Sequence, residues 1–132
     1  IMSIGAVKGF EIGDGFAAAD STGSTNNDSF TMKDGSIIKK TNHSGGVLGG
    51  MSDGSDIIFR AAVKPTPSIA AIQQTVNKSG EDIAISIKGR HDPMIVPRAV
   101  VVVEAMTALT LVDMILGNMT SRIDRIVDFY KR

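Results

Sequence analysis

The sequence contains no cysteine, no tryptophan and a single tyrosine. Without cysteine there is neither a disulfide framework nor a thiolate metal site, and the absence fits a reducing compartment. Only two histidines are present, too few imidazoles for a transition-metal centre. A surplus of either charge is also missing, since 14 basic and 14 acidic residues cancel. Binders of nucleic acid or other polyanions carry a basic surplus, so that class is set aside. A long uninterrupted apolar run is lacking too. The longest apolar stretch, residues 99–116, carries Glu104 and Asp113. A span needs about 18 or more residues with few charges, so no segment is expected to cross a membrane. No secretory leader is visible. The chain opens Ile1-Met2-Ser3 and runs straight into strand-like sequence, which reads as a cut end.

Glycine, by contrast, is plentiful: 14 in 132 residues against a usual share of about 7%. Tight turns and close backbone approaches are the physical use of such a surplus. A length of 132 residues predicts one domain, residues 1–132, able to bury roughly 65–70% of its unfolded-chain surface.

Residues 6–12 alternate loosely and end in Gly13-Asp14-Gly15, which predicts a strand leaving a turn. Residues 17–27 are small and polar, the composition of a surface loop. Residues 30–33 and 36–41 flank Asp34-Gly35, a pair suited to a two-residue hairpin turn in which both positions need φ > 0. A glycine-rich loop follows over 42–55, then a strand over 56–63 that ends at Lys64-Pro65-Thr66-Pro67-Ser68, where two prolines forbid a continuous ladder. Residues 68–74 suit a helical turn capped by Ser68. Residues 73–76 and 83–88 form a second hairpin around Asn77-Lys78-Ser79-Gly80. Residues 97–116 read as a helix despite four consecutive valines, with Pro97 at its start and Gly117 as its stop. Its apolar residues lie on nearly every face, so it is expected to be buried on both sides. Residues 121–132 predict a second, amphipathic helix, with Ile123, Ile126, Val127 and Tyr130 at helical spacing.

Several constellations carry chemistry, and each has a plainer alternative. The loop Gly45-Gly46-Val47-Leu48-Gly49-Gly50-Met51-Ser52-Asp53-Gly54 admits close approach of a phosphate or flat ring, or is simply a turn; its spacing matches neither the Walker nor the dinucleotide fingerprint. Lys64-Pro65-Thr66-Pro67-Ser68 sets a cation and two hydroxyls on a stiff segment suited to a phosphate or a ring carbonyl, or is a proline-terminated strand. Arg90-His91-Asp92, between Gly89 and Pro93, offers a guanidinium for an anion and groups to move a proton, or a salt-bridged turn. His43 reads as an exposed loop histidine. Arg98 either binds an anion at the helix start or pairs with a loop carboxylate. The seven methionines read as core filler.

Four ordered blocks together resemble the chorismate synthase family: residues 3–16 its S-I-x-A-V-K-G-x-E-I-G-D-G-F block, 42–54 its N-x-S-G-G-I-L-G-G-I-S-N-G loop, 60–68 its R-x-A-x-K-P-T-x-S run, and 89–99 its G-R-H-D-P-C-x-V-P-R-A block. Met51, Asp53 and Met94 stand where Ile, Asn and Cys are common. The resemblance is to the C-terminal part of that family. It implies an α+β fold, with helices packed against antiparallel sheet as one half of a β-α-β sandwich. The implied enzyme is a cytoplasmic homotetramer that turns 5-enolpyruvylshikimate 3-phosphate into chorismate and phosphate by a 1,4-elimination requiring reduced FMN. By position, Gly5, Ala6, Gly49, Lys64, Pro65, Thr66, Pro67, Ser68 and Arg90 resemble the flavin-binding elements. Asp92 matches a carboxylate that manages a proton at the flavin. The family's two catalytic histidines lie in the N-terminal part, so the 132 residues alone are expected not to turn over substrate. The alternative is a non-catalytic segment that folds or assembles and supplies only part of a flavin and phosphate site.

Overall fold

The structure is a computed structural model that describes residues 1–90 and 94–131. The chain is α+β, with short antiparallel hairpins followed by two helices. It forms two compact units, one of Met2–Ala62 and one that begins at Val63 and includes Ile1.

In the first unit, strands β1 (Val7–Ile12) and β6 (Phe59–Val63) pair. Gly9 faces Ala62, Arg60 Nε lies 2.7 Å from Glu11 Oε1, and Gly13 N–H donates to Ile58 O at 2.9 Å. The partners run in opposite order, so the pair is antiparallel. Phe10 and Phe59 stack with centroids 5.4 Å apart, and Val7 is the one buried apolar side chain among the described residues. Between β1 and β6 come a 3-10 helix (Gly15–Asp20) and two hairpins: β2 (Phe30–Lys33) with β3 (Ser36–Lys39), and β4 (Val47–Leu48) with β5 (Met51–Ser52). Asp34 and Gly35 have φ of 51° and 78°, the conformation that the Asp-Gly pair predicts. Gly49 and Gly50 turn the smaller hairpin in the same way, with φ of 59° and 78°. The expected plain loops therefore contain a 3-10 helix and a hairpin.

The second unit opens with the proline segment. Residues 68–72 form no helical turn; they lead directly into β7 (Gln73–Val76), which pairs with β8 (Asp82–Ile85). Helix α1 runs Val96–Met119 and α2 runs Ile123–Tyr130. Gly117 does not stop α1. The helix closes at Thr120 and Ser121, whose hydroxyls donate back to Gly117 O at 3.1 Å and Asn118 O at 2.7 Å, satisfying two of the terminal carbonyls.

The expectation of a doubly buried helix is not met: no residue of α1 is buried. Each sheet has two strands, too narrow a surface to cover a helix of about 36 Å. The expectation that no segment qualifies as a span is corrected as well. By length and composition α1 is apolar enough to cross a membrane. Glu104 and Asp113 lie nine positions apart, on opposite sides of the helix at about 100° per residue. Each charge would cost roughly 2.5–3.5 kcal/mol at mid-bilayer, so packing against protein suits the helix better.

Candidate functional site

Chemistry-bearing residues gather around the glycine hairpin β4–β5. Gly45 and Gly46, just before it, are buried. Gly45 has φ of 63° and lies against the backbone of Gly13 and Ile58. Asn42 closes this corner: its Oδ1 accepts from Gly46 N–H at 2.8 Å and its Nδ2 donates to Asp56 O at 2.9 Å. The tip, Gly49-Gly50, is exposed, and a Cβ on either glycine would point into open space.

Asp28 holds the approach to the hairpin. Its carboxylate accepts from the Thr41 hydroxyl (2.7 Å), His43 N–H (2.8 Å) and Ser44 N–H (3.0 Å). Lys39 Nζ sits 3.3 Å from Asp28 Oδ2, 2.6 Å from Asp53 Oδ2, and donates to Ser44 Oγ at 2.7 Å. These three charged side chains are only 6%, 10% and 15% exposed for Lys39, Asp28 and Asp53. Desolvation pushes the Asp28 acid up. The Ser44 N–H, the Thr41 hydroxyl, the His43 N–H and the Ser44 side chain together outweigh it and hold the acid well below the ordinary carboxylate range. The hydrogen bond from Lys39 lowers Asp53, and the same bond, against desolvation, raises Lys39.

Asp28 thus has a depressed folded-state pKa. Its contribution to stability is complete above the unfolded value near 4 and fades as pH falls below it. Urea midpoints of the protein are expected to drop between pH 6 and pH 3, and Asp28→Asn is expected to remove part of that drop. An unchanged slope in the variant would contradict the assignment.

His43 is not the exposed loop histidine that its neighbours suggested. Its side chain is 30% exposed, and Nδ1 lies 2.7 Å from Asp14 Oδ2, which also accepts from Asn26 Nδ2 at 3.0 Å. Asp14 N–H donates to His43 O at 2.8 Å, so the two residues are joined through side chain and backbone. Asp14, Asp28 and Lys39 were not anticipated from sequence. Their partners lie 5 to 29 positions away, and no local pattern marks them.

Of the anticipated residues, Gly5, Ala6 and Gly49 fall in the first unit and residues 64–68 and Arg90 in the second. Ala6 has φ of 68°, in a turn closed by Val7 N–H to Ile4 O at 3.2 Å. A non-glycine residue there stores backbone strain, which clusters at ligand-binding sites. In the second unit, Gln73 Nε2 donates to Pro67 O at 3.1 Å, tying the proline segment to β7, and Ser86 Oγ, just after β8, donates to Ala70 O at 2.8 Å. Thr66 Oγ1 is buried without a hydrogen-bond partner, while Lys64 and Arg90 are exposed. Asp92 lies outside the described residues.

Gly49 offers exposed backbone in the first unit and Thr66 an orphaned hydroxyl in the second. Comparison with known proteins gives the family. The family model "Chorismate synthase" matches residues 1–116. This chain belongs to the chorismate synthase family. Chorismate synthase of Lachnospira eligens is 76% identical over 132 residues, all of this chain and 36% of that protein. The Agathobacter rectalis enzyme matches equally, at 76% over the same span. Chorismate synthase of Archaeoglobus fulgidus is 60% identical over 117 residues, 88% of this chain and 32% of that one. A crystal structure of chorismate synthase aligns with 51% of this chain and 20% of its own at 43% identity and a TM-score of 0.48. The chain thus spans about a third of the length of the curated chorismate synthases it matches.

Proposed function

We propose that this chain is the flavin-holding segment of a cytoplasmic enzyme that converts 5-enolpyruvylshikimate 3-phosphate to chorismate and phosphate by 1,4-elimination with reduced FMN. The observation that carries the reading is Thr66 Oγ1. A buried hydroxyl without a partner costs about 1–3 kcal/mol, and it lies in the segment whose resemblance to the family marks it for flavin. A ligand that accepts its hydrogen bond removes that cost.

Reduced FMN, when bound, supplies an electron-rich ring that supports loss of phosphate with no net redox change. The protein's part is to bind, orient and handle a proton. Lys64 and Arg90 would meet negative charge with cations held near a proline-stiffened segment and a glycine. Thr66 and Ser68 would donate hydrogen bonds. Gly49, with no Cβ, would let the ring face approach the backbone, and Gly5-Ala6 would contact it through the turn. Asp92 would hold a proton for the flavin nitrogen. The substrate histidine chemistry falls to the part of the enzyme beyond this segment, so the isolated 132 residues are inactive in this reading. Assembly as a homotetramer is part of the proposal, and sedimentation of the full-length enzyme tests it; the apolar surface of α1 calls for a cover beyond this segment.

Thr66→Val in the full-length enzyme separates the two consequences of that hydroxyl. Without flavin the variant is expected to melt slightly higher, because an unsatisfied buried oxygen is gone. With flavin it is expected to bind reduced FMN about 3- to 10-fold more weakly, the worth of one hydrogen bond. Unchanged or tighter FMN binding would overturn the reading.

A further inference from the structure

We infer that Lys39, clamped between Asp28 and Asp53, is a positioning residue for flavin binding: it fixes the base of the β4–β5 hairpin so that Gly49 presents its backbone in one place. This rests on the reading of Gly49 as a flavin contact. The clamp itself rests on geometry. Asp28 holds the backbone N–H groups of His43 and Ser44, just before β4 begins at Val47. Asp53 follows directly on β5, and its N–H donates to Gly46 O at 3.1 Å. Lys39 Nζ reaches both carboxylates and Ser44 Oγ, at 3.3, 2.6 and 2.7 Å. One ammonium with three donors therefore ties the two ends of a hairpin whose own ladder has two residue pairs, Val47 with Ser52 and Leu48 with Met51.

The ladder alone is too short to hold its tip. A two-stranded hairpin is marginal in water, and Gly49 and Gly50 add backbone freedom at the turn. Val47 is half-buried while Leu48, Gly49, Gly50, Met51 and Ser52 are exposed, so packing does little to restrain them. What restrains the hairpin lies at its base, where a lysine that is 6% exposed is matched by carboxylates 10% and 15% exposed. A charge so far removed from water is retained only with partners, and two carboxylates around one ammonium fix its position from both sides. Pre-ordering a loop raises affinity by reducing the ordering cost of binding.

The test uses the full-length enzyme and reduced FMN as the probe, with flavin absorbance for affinity, circular dichroism for fold, and anaerobic turnover. Lys39→Met is expected to weaken FMN about tenfold, with kcat at saturating FMN within about twofold of wild type. Asp53→Asn keeps an acceptor but drops the charge, and is expected to weaken FMN about threefold. Gly49→Ala reports on the flavin reading itself. If Gly49→Ala binds FMN as wild type does, that reading fails. If Gly49→Ala weakens binding while folded Lys39→Met lowers the melting temperature but leaves FMN affinity within twofold, the clamp inference alone is overturned. Should Lys39→Met not fold, Asp53→Asn decides, and wild-type FMN affinity in that variant overturns the inference.

Discussion

Gly45→Ala is expected to destabilise the first unit severely. A methyl group at Gly45 would fall on the backbone nitrogen and Cα of Gly13 and on Ile58 O, none of which is a side chain able to rotate away. Relief requires parting the end of β1 from the glycine corner. Three bonds join this corner, from Gly13 N–H to Ile58 O at 2.9 Å, from Ile58 N–H to Gly45 O at 3.1 Å, and from Gly45 N–H to Asn42 O at 3.1 Å. At about 1 kcal/mol each, with about 1–2 kcal/mol for a side chain in the left-handed region, the total approaches 4 kcal/mol or more. That is a large part of the 5–15 kcal/mol that holds a typical domain. Gly54→Ala is the control. Its φ of 88° is also positive, but its Cβ would meet nothing within 4 Å, so only the backbone strain of about 1 kcal/mol is lost. Thermal melts of the two variants separate the cases. A Gly45→Ala protein that melts within a few degrees of wild type would show that the corner yields.

Lys64→Ala and Arg90→Ala are expected to cost the most in cofactor affinity. In the proposed site each meets a negatively charged group, and a charge-assisted hydrogen bond contributes about 1.5–3 kcal/mol, or roughly 10- to 150-fold in Kd. Both side chains are exposed in the chain, so removing either leaves the fold intact and the loss appears in binding alone. Titration of the full-length variants with reduced FMN, at low and at high salt, checks this. Weakening by less than about threefold in both would contradict the assignment of these cations to the flavin.

What the sequence made legible follows the range of each interaction. Asp34-Gly35 is a local signal, fixed by two dihedrals, and the hairpin stands where the pair predicts it. Both helices were legible because apolar spacing and Pro97 act over neighbouring turns. The failures are of another kind. Gly117 invites a stop, yet Thr120 and Ser121 cap the helix later with their hydroxyls, and an interior glycine costs only about 1 kcal/mol. The burial of α1 was inferred from its all-round apolar surface, but a surface says only that it wants a cover and not where the cover is. Val100 to Val103 shows the opposite balance, since a β-branched run was carried into helix by its flanks.

The candidate site divides along the same line. Resemblance brought out residues 64–68 and Gly49, because runs of neighbours carry that signal. The Asp28, Lys39 and Asp53 clamp and the Asp14–His43 pair join residues from separate loops. His43 looked solvated because everything near it in sequence is small and polar. Its partner Asp14 sits 29 positions earlier, in a turn whose glycines explained themselves. A long-range side-chain contact leaves no periodicity to read; it becomes visible only when β1 and the glycine corner are brought together.

The central claim is that this segment holds the cofactor of a chorismate-forming enzyme and does not complete the reaction alone. An anaerobic assay with reduced FMN and 5-enolpyruvylshikimate 3-phosphate, run side by side on the full-length protein and on the 132-residue chain, tests it most directly. The account predicts chorismate and an equal amount of phosphate from the full-length protein and neither from the chain. Turnover by the chain, or none by the full-length protein, would contradict it.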